Sequence, residues 1–167
     1  MQIQELNQMS RADAYATLMQ CCAATRWIDE VLEMRPYSSV KVLLHAAEDC
    51  WASMKEADYL EAFDGHPKIG DPASLKAKYV STHTMARNEQ ASVQQASEKI
   101  IMDFANCNQA YEDKFGFIFI ICATGKSADE MLSSIRVRLV NNRDKELQLA
   151  AIEQGKITSL RIEKLFD

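Results

Sequence analysis

Points at which an α-helix must stop are scarce in this chain. Its 167 residues hold five glycines and three prolines, and a sequence so poor in helix breakers runs readily in long uninterrupted helices. The apolar residues also recur at helical rather than strand spacing. The fold expected is therefore all-α, a single-domain helical bundle of about eight helices with one short extended segment near 117–123. The length agrees, since 167 residues make one domain with a real core and are short for two.

Individual elements follow from caps and apolar periods. A helix over 11–23 starts after a candidate cap at Ser10 and sets Ala14, Leu18 and Cys21 or Cys22 on one face. The next, over 24–34, presents Trp27, Val31 and Met34 and stops at Arg35-Pro36, because the residue before proline disfavours α geometry. Val42, Leu43, Ala46, Cys50 and Met54 predict a helix over 39–55, and a short one over 56–63 follows. Residues 87–111 read as the longest helix, with Ile100, Ile101, Phe104 and Tyr111 toward its end. "KFGFIFIICATGKS", bounded by Gly116 and Gly125, is rich in aromatic and β-branched residues and predicts the extended segment. Its backbone groups need partners, and a bound ligand is one candidate. Ser127 with Glu130 three residues on forms a capping box, opening a helix with Leu132, Ile135 and Leu139 as its buried stripe. Two helices over 143–154 and 156–165, separated at Gly155, complete the chain.

Charge and cysteine usage exclude several function classes. A net charge of −5 lacks the basic footprint of a nucleic-acid binder, so any anionic ligand is held by individual Arg, Lys or His side chains. No apolar run approaches the ~20 residues that span a bilayer, which predicts no membrane partner. Five cysteines, an odd number with Cys21 and Cys22 adjacent and no C-x-x-C pair, suit neither a disulfide framework nor a zinc ribbon. They read as reduced thiols, mostly buried. The opening "MQIQELNQMSRADAYATLMQ" lacks a basic n-region and an apolar h-region, and the expected compartment is cytoplasmic.

Two glycines and two of the three prolines crowd into residues 63–72, "FDGHPKIGDP", around His66. Pro67 biases His66 toward extended geometry, and Gly65 and Gly70 let the backbone turn or approach a ligand. Such a loop orients an imidazole with little freedom, as a proton donor near neutral pH requires. The alternative is a helix-terminating turn whose histidine merely caps. His45 reads as a helix-surface or buried hydrogen-bonding residue, and His83 as part of a polar loop. Glu89 and Gln90 open the long helix, where the acid suits the helix dipole or, with the amide and free N–H groups, orients a polar ligand. Arg161 is either one more charge on a solvated face or a guanidinium that holds an anion. Two rival functions stay open: a non-catalytic interaction module, and a metal-dependent hydrolase using His66, His83 and Asp64 or Glu89.

Leu6-Asn7, Trp27, Arg35-Pro36, "HPKIG" at 66–70, Glu89-Gln90, "YEDKFGFIFIICATGKS" at 111–127, "RLVNNRDKEL" at 138–147 and "SLRIEKL" at 159–165 together resemble the 2-oxo-4-hydroxy-4-carboxy-5-ureidoimidazoline (OHCU) decarboxylase family, in the family's order over nearly the whole chain. The resemblance implies an all-α enzyme without a cofactor or metal, a homodimer acting on a small-molecule ureidoimidazoline in urate and purine catabolism, and (S)-allantoin as product. It assigns His66 as proton donor and Glu89 as the acidic catalytic residue. It assigns substrate contacts to Pro67, to Ala86, Arg87, Asn88 and Gln90, to the backbone of Phe119, Ile120, Ile121, Cys122 and Ala123, and to Arg161. Three departures stand out: Ala86 replaces a frequent serine, the stretch from His66 to Glu89 is slightly longer than usual, and Ile118 replaces the proline of Phe-Gly-Phe-Pro-Phe.

Overall fold

The computed structural model describes residues 1–66 and 90–167, the side chains of 90–97 excepted. All regular structure among them is helical: α1 (Ile3–Gln8), α2 (Arg11–Met19), α3 (Thr25–Glu33), α4 (Val40–Ser53), α5 (Glu56–Asp64), α6 (Gln90–Phe115), α7 (Ala128–Arg138) and α8 (Arg143–Leu165). The all-α expectation holds. Contacts divide the chain into two compact units, Met1–His66 with Leu149–Asp167, and Pro67–Gln148.

The first unit is built around α3, which packs on α2, α4 and α5. Trp27, Ile28, Val31 and Leu32 fall on its inward face and are buried. Full burial of each such side chain contributes about 1.5–3 kcal/mol. Indole N–H groups taken into this core need acceptors: Trp27 donates to the Ala47 carbonyl at 3.0 Å and Trp51 to that of Ala151 at 2.9 Å. Serines close two helix starts, Ser10 as the sequence predicts and Ser39 at the start of the helix that the apolar pattern predicts. Ser10 accepts from the Asp13 N–H, and Ser39 from that of Val42.

Helix α1 has too few residues for a periodic signal. It is held by the Gln2 N–H donating to the Glu5 carboxylate at 2.8 Å and by burial of Ile3 and Leu6. Asn7 clamps the backbone of Tyr37, donating to its carbonyl and accepting from its N–H, both at 2.8 Å. Arg35 donates to the Leu6 and Met9 carbonyls. Leu6-Asn7 and Arg35-Pro36, two signposts of the resemblance, thus tie the N-terminal helix to the α3–α4 connection.

One expectation is overturned at the C-terminus. The two helices expected over 143–154 and 156–165 are a single helix, α8, which passes through Gly155 without a break. A lone glycine costs a helix only about 1 kcal/mol, and here close packing requires it: a Cβ at 155 would meet the Trp51 ring at 3.2 Å. The glycine marks a point of contact, not a stop.

In the second unit α6 packs on α7, and α6 runs four residues beyond the expected end at 111. Residues 87–89 of that expected helix lie outside the described residues. Ser127 and Glu130 form the expected capping box, though α7 stops at Arg138. Residues 118–123 are neither helix nor strand, so the interruption falls where the aromatic and β-branched run placed it. Phe104, Tyr111, Phe115, Phe117 and Phe119 are buried there, and Tyr111 meets the rings of Phe117 and Phe119 edge-on. Beneath them Glu146, fully buried, accepts from Tyr111, Arg138 and Asn141.

Candidate active site

His66 follows directly on the C-terminal end of α5. Its own N–H donates to the Phe63 carbonyl at 3.0 Å, closing the last turn. Gly65 is needed there for space: its φ of −73° is ordinary, but an added Cβ would stand 2.5 Å from the Ala23 Cβ. The end of α5 therefore sits hard against the α2–α3 connection. That contact fixes where the His66 backbone lies.

The imidazole does not cap the helix that precedes it. Instead it turns to α8, where Nε2 lies 2.6 Å from Gln154 Oε1 and Nδ1 3.4 Å from the Arg161 guanidinium. Gln154 is fully buried and Thr158 nearly so. Gln154 Nε2 donates to Thr158 Oγ1 at 3.1 Å, and that hydroxyl donates to the Gln154 carbonyl at 3.0 Å. Neither residue stood out in the sequence. The available signal was their i, i+4 spacing ahead of Arg161, and an expected break at Gly155 hid it.

Arg161 is half-buried rather than on a solvated face. It donates to the Cys21 and Gln20 carbonyls at 3.2 and 3.5 Å, just past the end of α2, where a cation suits the exposed carbonyl groups. Burial pushes the His66 pKa below its usual 6.5, the positive charge of Arg161 lowers it further, and the Gln154 hydrogen bond opposes both. The resting imidazole is thus neutral near pH 7. Burial also pushes the thiols of Cys21 and Cys22 up to about 11, so neither is a ready nucleophile.

The other expected site residues are distributed as follows. Pro67, Ala86, Arg87, Asn88 and Glu89, with Lys68 and His83, lie outside the described residues. Gln90 is the first residue of α6, its side chain among those not described. Phe119, Ile120, Ile121 and Cys122 are buried and Ala123 half-buried within the second unit. The Ile120 carbonyl takes a hydrogen bond from Arg138 at 2.7 Å, so a partner from the protein itself serves one backbone group of this segment. His45 is exposed on α4 with Nδ1 2.8 Å from the Lys41 carbonyl. Asp64 is exposed at the end of α5. No group of three potential metal ligands occurs among the described residues, and the guanidinium beside His66 Nδ1 disfavours a cation there.

Comparison with known proteins supplies the context for this cluster. The OHCU decarboxylase family profile matches residues 7–163. The chain is 35% identical over 147 residues to the uric acid degradation bifunctional protein TTL of Arabidopsis thaliana, covering 87% of this chain and 45% of that one. It is 28% identical over 176 residues to the OHCU decarboxylase of Xenopus laevis, covering 99% and 95%. A crystal structure of OHCU decarboxylase in the presence of (S)-allantoin superposes with a TM-score of 0.72 at 34% identity, covering 89% of this chain and 95% of that one. The chain spans less than half the length of the bifunctional relatives it matches. With the profile running through both units and the fold shared with a solved member, this chain belongs to the OHCU decarboxylase family.

Proposed function

We propose that this chain decarboxylates OHCU to (S)-allantoin without a cofactor, using His66 to move the proton. The observation that carries the proposal is the seating of His66: a neutral imidazole between a buried amide and a guanidinium, in a chain whose family match runs over residues 7–163. The same match supports reading 1–167 as one functional domain.

The substrate bears its carboxylate on a ring carbon that also carries a hydroxyl, next to a C=N bond. When the carbon–carboxylate bond breaks, its electron pair moves into the ring and the C=N nitrogen takes a proton, so the substrate is its own electron sink. The enol-like intermediate then gains a proton at the carbon bearing the ureido group and loses its hydroxyl proton. Net, one carbon dioxide leaves and one proton is taken up. Delivery of the carbon-bound proton from one face yields one enantiomer.

A neutral imidazole suits a relay. His66 receives the substrate's hydroxyl proton at Nδ1, directly or by way of Glu89, and passes it to the ureido-bearing carbon while Nε2–H stays bonded to Gln154; solvent supplies the proton taken up at the C=N nitrogen. Arg161 beside Nδ1 supplies a cation for the anionic substrate. Glu89 orients the hydroxyl or takes its proton. Gln90, Pro67, residues 86–88 and the backbone of 119–123 hold the ring and ureido group. These assignments rest on the resemblance of "HPKIG", Glu89-Gln90 and the "FGFIF" run to the family pattern.

We read the chain as cytoplasmic and homodimeric. Buried thiols at Cys21, Cys22 and Cys50 favour a reducing compartment. The homodimer rests on the resemblance. To test the activity, OHCU is generated from urate and circular dichroism follows the appearance of (S)-allantoin with and without the protein. Acceleration over spontaneous decay is expected; equal rates would refute the proposal.

A further inference from the structure

We infer that Gln154 and Thr158 are positioning residues that fix which nitrogen of His66 carries the proton, leaving the Nδ1 lone pair beside Arg161 as the reactive edge of the ring. For its bearing on turnover this rests on the role given to His66 above; the order of hydrogen bonds stands on geometry. Gln154, Thr158 and Arg161 are spaced i, i+4 and i+7 on α8, and so share one face of that helix.

From the buried end outward, each donor is committed. Thr158 Oγ1 gives its only proton to the Gln154 carbonyl at 3.0 Å, the back-bond typical of a hydroxyl within a helix. That oxygen can then only accept, and it does so from Gln154 Nε2 at 3.1 Å. The same amide must therefore turn Oε1 toward His66, where it stands 2.6 Å from Nε2. An amide oxygen cannot donate, so Nε2 carries the proton.

The other edge of the ring agrees, but holds the tautomer less firmly. A guanidinium has no acceptor, so the Arg161 nitrogen 3.4 Å from Nδ1 faces a lone pair. The two edges differ in strength. At 2.6 Å the Gln154 bond is short, whereas 3.4 Å is long for an N–H···N contact, which makes Nδ1 the edge that exchanges its partner for substrate. A reversed amide would set an N–H group of Gln154 against the protonated Nε2 and leave Thr158 without its donor.

The test reads the tautomer directly. The protein has three histidines, so ¹⁵N-histidine labelling gives an assignable spectrum, recorded above about pH 8 where imidazole is neutral. Wild type should show His66 protonated at Nε2. In Thr158→Val the amide is free to turn, and with only the long Arg161 contact opposing it the Nδ1–H form should appear beside the Nε2–H form; kcat should fall in step with the Nδ1–H fraction, with KM little changed, since misplacing a relay histidine's proton costs up to about 10⁴-fold. Thr158→Ser should restore both. If Thr158→Val fails to fold, Gln154→Glu keeps the acceptor and adds a charge, and His66 should titrate at higher pH. An Nδ1–H form in wild type, an unmoved tautomer in folded Thr158→Val, or an unmoved titration in Gln154→Glu would overturn the inference. The spectrum needs no turnover, so full activity in His66→Asn would remove the catalytic role of His66 without touching this result.

Discussion

At the scale of residues, the site turns on one imidazole whose surroundings disfavour its charge. Because burial and Arg161 hold the folded-state pKa of His66 below 6.5, the unfolded chain binds more protons between those two values. Stability is therefore full above pH 6.5 and is lost as pH falls through that window, levelling off below the folded pKa. The difference in unfolding free energy between wild type and His66→Asn, followed by urea denaturation from about pH 7 to pH 5, should shrink on the acid side. A difference independent of pH would mean that His66 is protonated equally in both states. Catalysis carries the same sign: a relay that begins neutral loses kcat/KM as pH falls through the lowered folded-state pKa, whereas a resident imidazolium donor would lose it as pH rises through that value.

Among the elements, α5 and α8 do the positioning. Gly65→Ala would press a Cβ to 2.5 Å from that of Ala23, and overpacking of this kind costs about 1–3 kcal/mol. Thermal denaturation should show that loss, turnover should fall with it as His66 shifts, and Gly65→Ala with Ala23→Gly should recover most of both. No recovery would assign the glycine to some other constraint. Much of this scaffold was legible in the sequence, and the failures have physical causes. Serine caps at 10 and 127 and the apolar stripe of α4 are local signals that tertiary packing did not override. Helix α1 is too short for a period and depends on Asn7 and Arg35 reaching across to the α3–α4 connection. Gly155 read as a break because a glycine that admits a distant ring looks, in one dimension, like a glycine that ends a helix. Dividing α8 there separated Gln154 from Thr158 and Arg161 and concealed their shared face, so the residues alone left Arg161 open between a surface charge and an anion holder.

Across the whole molecule, each unit holds its own buried polar cluster. The cluster in the first unit holds the imidazole proposed to react; the one in the second, around Glu146, is structural. Tyr111, Arg138 and Asn141 all point at Glu146, and removing it would leave the Arg138 guanidinium buried without its counter-charge. Glu146→Leu should cost about 3–5 kcal/mol in denaturant unfolding; a loss below about 1 kcal/mol, the usual value of an exposed pair, would mean that solvent reaches Arg138. The "RLVNNRDKEL" signpost is thus accounted for by stability, and Arg161 of "SLRIEKL" by its place beside His66. The most direct measurement is the initial rate of (S)-allantoin formation from urate-derived OHCU, read by circular dichroism, for wild type and His66→Asn at equal concentrations of folded protein. Wild type should exceed spontaneous decay, and the variant should lose about 10²–10⁴-fold while keeping its helical spectrum; a folded His66→Asn that turns over at the wild-type rate would contradict the assignment of the proton to His66.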